Sequence, residues 1–238
     1  MGRVIDSDEL PGNSSPVRSS QLGCDPGAPR RQRRRAAGEG YQRPFAEYNL
    51  AAWQALLRWR EDHPGPLILD SGCGTGDSSL ALNQRHPEAW IIAVDKSIAR
   101  LARRGLGAAA PMLHQQARCC FVLGDLVDLW RLMAAAGWQF ERHYLLYPNP
   151  WPKPGMRLRR WPLHPVWPDL LRLSAVVEMR SNWEVYAAEF VQGLQLQGWR
   201  GQLQRLAWQA QPLSPFEAKY QASGHSLWQV VGSAGSSG

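Results

Sequence analysis

The sequence predicts an α/β fold built on a mostly parallel, seven-stranded sheet with helices on both faces. Three observations predict it. From Phe45 onward short apolar runs alternate with segments of helical period, the first run opens into a glycine-rich turn, and an acidic residue stands at or just after the end of each of the first three runs.

In chain order the pattern gives a helix around Ala46–Trp59, a strand Leu67–Asp70, a helix Asp77–Arg85 and a strand Trp90–Asp95. A helix after Lys96, a strand around Cys120–Leu123, a helix Leu126–Ala136, a strand His143–Tyr147 and a helix near Asp169–Leu173 continue the alternation. Strands joined through helices run parallel, because a parallel pair needs a crossover connection. Ala175–Met179 then reads as a fifth strand and Trp183–Gln195 as a helix, with Gly201–Gln209 and Ser226–Val231 as a closing pair of strands.

A chain of 238 residues with 44% hydrophobic positions can bury one sizeable core, and residues 45–232 carry the periodicity to form it. Residues 1–44 are mostly Gly, Pro, Ser and charged types, with Arg30, Arg31, Arg33, Arg34 and Arg35 close together, and are expected to be a disordered leader. The arginine run suits either a grip on nucleic acid or a solvated tail, and the sequence leaves both open. Residues 233–238 are expected to be a flexible tail.

The formal charge of +7 favours a polyanionic partner, because clustered cations gain entropy by releasing counterions from phosphate. Arginine far outnumbers lysine, the lysines being Lys96, Lys153 and Lys219, and compositional bias alone gives the same excess. Position therefore has to decide. Cys24, Cys73, Cys119 and Cys120 lack C-x-x-C spacing and nearby histidines, so neither a metal site nor a disulfide framework is expected. No apolar stretch of about eighteen residues occurs, which predicts a cytoplasmic chain with no membrane partner.

The segment Leu67-Ile68-Leu69-Asp70-Ser71-Gly72-Cys73-Gly74-Thr75-Gly76 places three glycines at alternate positions between a buried strand and a helix. Such a turn lets backbone approach a ligand where a Cβ would clash. A dinucleotide site prefers G-x-G-x-x-G, whereas G-x-G-x-G with an acid two residues before the first glycine resembles class I methyltransferases. That resemblance implies a Rossmann-like fold and S-adenosylmethionine as cofactor, its amino-acid end at Asp70, Gly72, Gly74 and Gly76. Asp95, ending the second strand, suits the two ribose hydroxyls, and Asp125, after the third, suits the adenine amine. Each acid has a plainer reading as a helix cap or turn residue. Asp77 is read as a cap, and Cys73 as a small packing residue with no base placed to activate it.

The fourth strand runs into Tyr147-Pro148-Asn149-Pro150-Trp151-Pro152-Lys153, at the end of the sheet where open α/β folds bind ligands. Its prolines stiffen the exit and present Asn149 and Trp151 with little entropy to lose. Arg157, Arg159 and Arg160 follow, interleaved with Trp151 and Trp161, a combination suited to phosphate pairing and base stacking. A solvated basic loop is the plainer alternative.

From about Leu67 to Val231 the chain resembles the bacterial tRNA (guanine-N7)-methyltransferase family, as a divergent paralogue. The family carries Phe-Pro-Asp-Pro-Trp and a Lys at this strand end. Ser181-Asn182-Trp183-Glu184-Val185-Tyr186-Ala187 is similar to its Thr-Asp-Trp-x-x-Tyr-Ala, and Ser214-Pro215-Phe216-Glu217 to its Thr-Lys-Phe-Glu. The resemblance implies that Asp70, Asp95 and Asp125 contact the cofactor, that Asn149 orients the target, and that Trp151, Lys153, Asn182, Phe216 and Glu217 hold substrate beside Arg157, Arg159 and Arg160.

Asp70 and Asp95 stand where the family usually has Glu, and the more serious departures are Asn149 and Asn182, where the family has Asp, and Pro215, where it has Lys. Guanine N7 already carries a lone pair, so its methylation needs positioning rather than a general base. An Asn keeps one acceptor and adds two donors, which changes how a base is read. The expected function is methyl transfer from S-adenosylmethionine to RNA, at guanine N7 in tRNA, with no DNA partner. Two rivals stay open: a methyltransferase of the same fold with another substrate, and a non-catalytic paralogue that binds cofactor or RNA.

Overall fold

Runs rich in Leu, Ile, Val and Cys form strands buried on both faces, which is what helices covering both sides of a parallel sheet require. The computed structural model describes residues 13–19, 21, 23–36, 41–106, 112–208 and 211–235. Strands β1 (Leu67–Ser71), β2 (Trp90–Asp95), β3 (Leu113–Gln116), β4 (Cys119–Leu123), β5 (Arg142–Leu146), β6 (Val176–Ser181), β7 (Arg200–Arg205) and β8 (Trp228–Ser233) form one eight-stranded sheet. Its order is β3-β4-β2-β1-β5-β6-β8-β7. The pairs β4–β2, β2–β1, β1–β5 and β5–β6 are parallel, whereas β3 and β8 run antiparallel to their neighbours.

The helices are α1 (Ala28–Ala36), α2 (Glu47–Asp62), α3 (Asp77–Arg85), α4 (Ile98–Leu101), α5 (Leu126–Ala135), α6 (Trp167–Arg172), α7 (Glu184–Gln195) and α8 (Pro215–Ala222). Leu69, Ile92, Val122 and Leu145 of the sheet meet Trp53 and Leu56 of α2, Trp130 of α5, Trp167 of α6 and Phe190 of α7. On the opposite face Ile68, Ile91, Phe121 and Tyr144 meet Leu82 of α3 and Leu101 of α4. Alternate residues of each strand therefore serve two separate apolar layers.

Two expectations change. The sheet has eight strands rather than seven, because Leu113–Gln116 forms an antiparallel edge hairpin with β4 around Ala117, whose φ is +53°. Its Leu-His-Gln-Gln sequence carries no apolar run, since an edge strand needs none. The leader, expected to be disordered through residue 44, contains α1, and Gln32 of that helix is buried with its amide on the Pro162 carbonyl. At the other end β8 runs on to Ser233, inside the expected tail, while residues 236–238 lie outside the described residues.

One polar knot sits inside the first apolar layer. His143 of β5 is fully buried, with Nε2 at 2.7 Å from the Ser71 hydroxyl, which also accepts the Trp130 indole N–H at 3.0 Å. Burial pushes the imidazole pKa from 6.5 down to about 3. The unfolded chain takes up a proton at this site as pH falls below 6.5 and the folded chain does not. Stability from this group is therefore full above that pH and falls on acidification by on the order of 1.4 kcal/mol per pH unit. Urea midpoints followed from neutral pH to about pH 4 should decline less steeply in His143→Gln than in the wild type; parallel slopes would show that native His143 takes up the proton.

Candidate functional site

The parallel strands bring their carboxyl ends to one edge in the spatial order β4, β2, β1, β5, β6. That edge carries, in the same order, Asp125, Asp95, the glycine turn, Asn149 and Asn182. The order in which strands are added reverses at β1, from which the chain winds outward first to β2 and β4 and then to β5 and β6, and a crevice at such a switch point is where open α/β sheets take ligands.

Gly72, Gly74 and Gly76 all adopt left-handed φ values, +80°, +59° and +77°. At Gly76 a Cβ would fall 2.5 Å from the Phe121 ring, so that glycine lets α3 pack on β4. At Gly72 a Cβ would meet nothing within 4 Å, and at Gly74 only the Arg100 side chain at 3.9 Å. The turn is thus tight beneath and open above.

Asp70 is buried, and its Oδ2 accepts from the hydroxyls of Ser78 and Ser79, each at 2.7 Å, tying β1 to α3. Its Oδ1 is buried without a partner among the described residues. Burial first, and then the charge of Asp95, push its pKa up to about 6. Asp95 Oδ2 accepts from Gly74 N and from Arg100 Nη1, both at 3.0 Å, and its Oδ1 accepts from Ser97 N at 2.8 Å. Asp125 caps α5, its Oδ1 accepting from Val127 N at 2.9 Å, so the plainer reading holds for one of its oxygens. Asp77 does not cap α3: it accepts from Thr75 Oγ1 and pairs with Arg104. Cys73 is buried and its thiol is pushed up by that burial, consistent with packing.

The loop after β5 begins and ends on strained backbone. Tyr147 and Trp151 have φ of +54° and +46°, a region that costs a bulky residue about 1–3 kcal/mol. Tyr147 is fixed by its N–H on the Arg180 carbonyl at 2.8 Å and its hydroxyl on Glu217 Oε2 at 3.1 Å. Asn149 is exposed between them, and its Oδ1 accepts from Trp151 N at 3.1 Å, which leaves its two amide N–H groups as outward donors.

Arg160 does not serve as a phosphate contact, contrary to the sequence reading. Its side chain is 1% exposed and pairs with Glu189 of α7 at 2.6 Å. Its Nε donates to the Pro150 carbonyl at 2.7 Å and its Nη2 to the Trp151 carbonyl at 3.2 Å, so it holds the strained loop from beneath. Glu217 is likewise fully buried, on Arg180 and Tyr147, and orients rather than touches a ligand. Arg157 pairs with Asp25 at 3.0 Å. Arg159 stacks over the Trp151 ring at 4.8 Å, and Lys153 is exposed with no ion pair among the described residues.

Asn182 bonds His225 Nδ1 through Nδ2 at 3.0 Å. His225 Nε2 faces the Ser14 carbonyl at 3.4 Å, and a carbonyl only accepts, so this contact favours a hydrogen on Nε2. Nδ1 is then an acceptor, the Asn182 amino group must donate to it, and Asn182 Oδ1 is left as the outward acceptor. A ladder of rings, exposed Phe216 on Tyr220 (6.1 Å) and Tyr220 on His225 (5.3 Å), leads from solvent to this amide. Sequence reasoning missed His225, Tyr147 and Arg180; their roles come from long-range contacts with no local signature.

Residues 64–230 match the family described as "Putative methyltransferase". The chain is 27% identical to the tRNA (guanine-N(7)-)-methyltransferase of Leifsonia xyli subsp. xyli, over 69% of this chain and 74% of that protein. It is 26% identical to the protein of the same description from Photobacterium profundum, over 74% of this chain and 75% of that protein. Among solved structures it is similar in fold to an antibiotic-related methyltransferase, with a TM-score of 0.53 at 13% identity covering 83% of this chain and 99% of that one. The 16S rRNA methyltransferase KamB gives a TM-score of 0.53 at 14% identity, covering 81% and 95%.

The two basic residues of the loop should separate cleanly in unfolding experiments. Arg160→Ala leaves Glu189 buried and unpaired and should lower stability by about 3–5 kcal/mol. Lys153→Ala should change it by less than about 0.5 kcal/mol. Equal urea midpoints for the two variants would contradict the buried role of Arg160.

Proposed function

The chain belongs to this methyltransferase family, matched across residues 64–230, and on that premise we propose that it transfers a methyl group from S-adenosylmethionine to RNA, at guanine N7 in tRNA. The observation that carries the reading is the split of the strand-end crevice into an acidic, glycine-lined half and an amide half beside aromatic rings and exposed cations.

The first half suits the cofactor. Space above Gly72 and Gly74 admits its amino-acid end against bare backbone, and the unpartnered Asp70 oxygen favours a cationic neighbour. Asp95 would hold the ribose hydroxyls once Arg100, whose side chain is half exposed, gives up its place on Oδ2. The second oxygen of Asp125 remains for the adenine amine. When bound, the cofactor supplies an electrophilic methyl group carried on a sulfonium.

The second half suits guanine in particular. Asn149 offers N–H donors where guanine O6, next to N7, accepts, and Asn182 offers an acceptor where N1–H and the exocyclic amine donate. The two amides thus read both kinds of guanine group without an acid. No proton needs removing from N7, so the work of these residues is to orient the base and exclude alternatives. Phe216 offers a face for stacking at the rim, and Lys153 and Arg159 offer phosphate contacts. Among the described residues no helix is long and apolar enough to cross a membrane, and the proposed tRNA substrate supports a cytoplasmic location.

Purified protein incubated with labelled S-adenosylmethionine and tRNA lacking the modification should yield 7-methylguanosine by nucleoside mass spectrometry. Asn182→Ala should lower kcat/KM about tenfold or more, equivalent to one lost buried hydrogen bond, with cofactor affinity by calorimetry unchanged. Lys153→Ala should weaken tRNA binding and reduce the salt slope by about one contact. A different methylated nucleoside would replace guanine as the target, and labelled small molecule or protein with unlabelled RNA would replace RNA as the substrate.

A further inference from the structure

The amino-terminal segment does not stand clear of the site. Ser14 donates its N–H to Ser223 Oγ at 3.2 Å and presents its carbonyl to His225, the residue that also orients Asn182. Further along, Gln21 donates to Glu189 Oε1 at 2.6 Å and accepts from Arg160 Nη1 at 3.1 Å, while Asp25 N also reaches Glu189 Oε1 at 3.2 Å. Asp25 is buried between Arg31 and Arg157. The segment is therefore pinned at two places, one beside each amide-bearing strand end.

Between those pins the chain stands off the domain and leaves a groove. Ser15, Pro16 and Arg18 line one side of it and Pro152 and Trp183 the other, with an open space of about 500 Å³ between them. Pro152 lies three residues beyond Asn149 and Trp183 one beyond Asn182. The volume falls in the range of roughly 300–1,000 Å³ typical of small-ligand sites. Arg18 is exposed and has no ion pair among the described residues. A free cation facing a tryptophan and prolines across a nucleotide-sized gap is the chemistry of single-stranded nucleic acid, where rings stack on bases and cations meet phosphate.

We propose that residues 13–19, 21 and 23–25 belong to a strap beside the target side of the crevice, with Arg18 binding a phosphate of the RNA strand whose base enters beside Asn149 and Asn182. The proposal rests on the RNA reading above and adds a substrate-binding element outside the region matched to the family, residues 64–230. Its pins give it a second consequence. Gln21 ties the strap to the same Arg160–Glu189 pair that supports the strained loop, so freeing the strap loosens its hold on RNA without touching the glycine turn.

The test uses the full chain, fluorescently labelled unmodified tRNA transcript for binding, and calorimetry with S-adenosylmethionine. Arg18→Ala should weaken tRNA binding about fivefold or more and reduce the salt slope by about one contact, with cofactor affinity unchanged, and Arg18→Lys should recover most of the loss. Gln21→Ala should speed amide exchange across residues 13–19 and weaken tRNA binding similarly. Wild-type tRNA affinity in Arg18→Ala, or a strap loosened in Gln21→Ala with no loss of tRNA affinity, would overturn the strap while leaving the methylation of tRNA by the wild type intact. A wild type that neither binds nor methylates tRNA would instead overturn the RNA reading, and the phosphate role of Arg18 with it.

Discussion

The arrangement of the target side depends on one buried cation. Arg160 is removed from water almost completely, and an ion that size costs several kcal/mol to desolvate unless its donors are satisfied. All three guanidinium nitrogens have partners: Nε on the Pro150 carbonyl, Nη2 on the Trp151 carbonyl, and Nη1 on Glu189 and Gln21. The planar fork of arginine is what lets one side chain face a loop, a helix and the amino-terminal segment together, and a lysine could not. Because those bonds end on the carbonyls of the strained span, the free energy of burying Glu189 with Arg160 is coupled to holding Trp151 at a φ of +46°. The position of Asn149 is then set by interactions well below the surface on which it acts.

A parallel arrangement supports the near end of the same loop. Arg180 of β6 bridges Glu178 and Glu217, and Glu217 in turn receives the Tyr147 hydroxyl. Tyr147 and Trp151, the residues of this loop in left-handed backbone, are thus each held by a buried arginine–glutamate pair reached from a different element. The prolines between them stiffen the span, as their sequence positions imply. The prolines do not choose its direction, however, since the residues that do so lie on α7, α8 and β6.

This explains which parts of the molecule were legible in the sequence. Buried parallel strands announce themselves as continuous apolar runs, so β1, β2 and β4 fell close to their expected bounds, as did α3 and α5. The glycine turn was legible because its function is a backbone property that only glycine supplies. Arg160 was misread for the opposite reason: the last arginine of a basic loop is identical in sequence whether it faces phosphate or the interior, and only the distant Glu189 decides. The helix of the leader escaped for a similar cause, since α1 is docked by polar contacts such as Gln32 with the Pro162 carbonyl and with Gln197 rather than by an apolar stripe. Strand β3 left no signal because half of its surface remains in water.

The two amides, the most conspicuous departures from the resembling family, acquire a physical reason from the structure. An aspartate at position 182 could only accept from His225 Nδ1, whereas an asparagine amide can also donate to it. Asparagine satisfies the same ring as a neutral donor and keeps an oxygen for the ligand. Asn149 uses its own oxygen to close the turn on Trp151 N, and so has only its amide N–H groups left to donate. A pocket built from neutral amides discriminates by the direction of hydrogen bonds and contributes little long-range attraction. Attraction to a polyanion then has to come from the rim, where Lys153, Arg159 and Arg18 stand exposed while Arg157 and Arg160 are committed to structure. On the proposed RNA reading, specificity and affinity are carried by different residues, and salt acts mainly on the second.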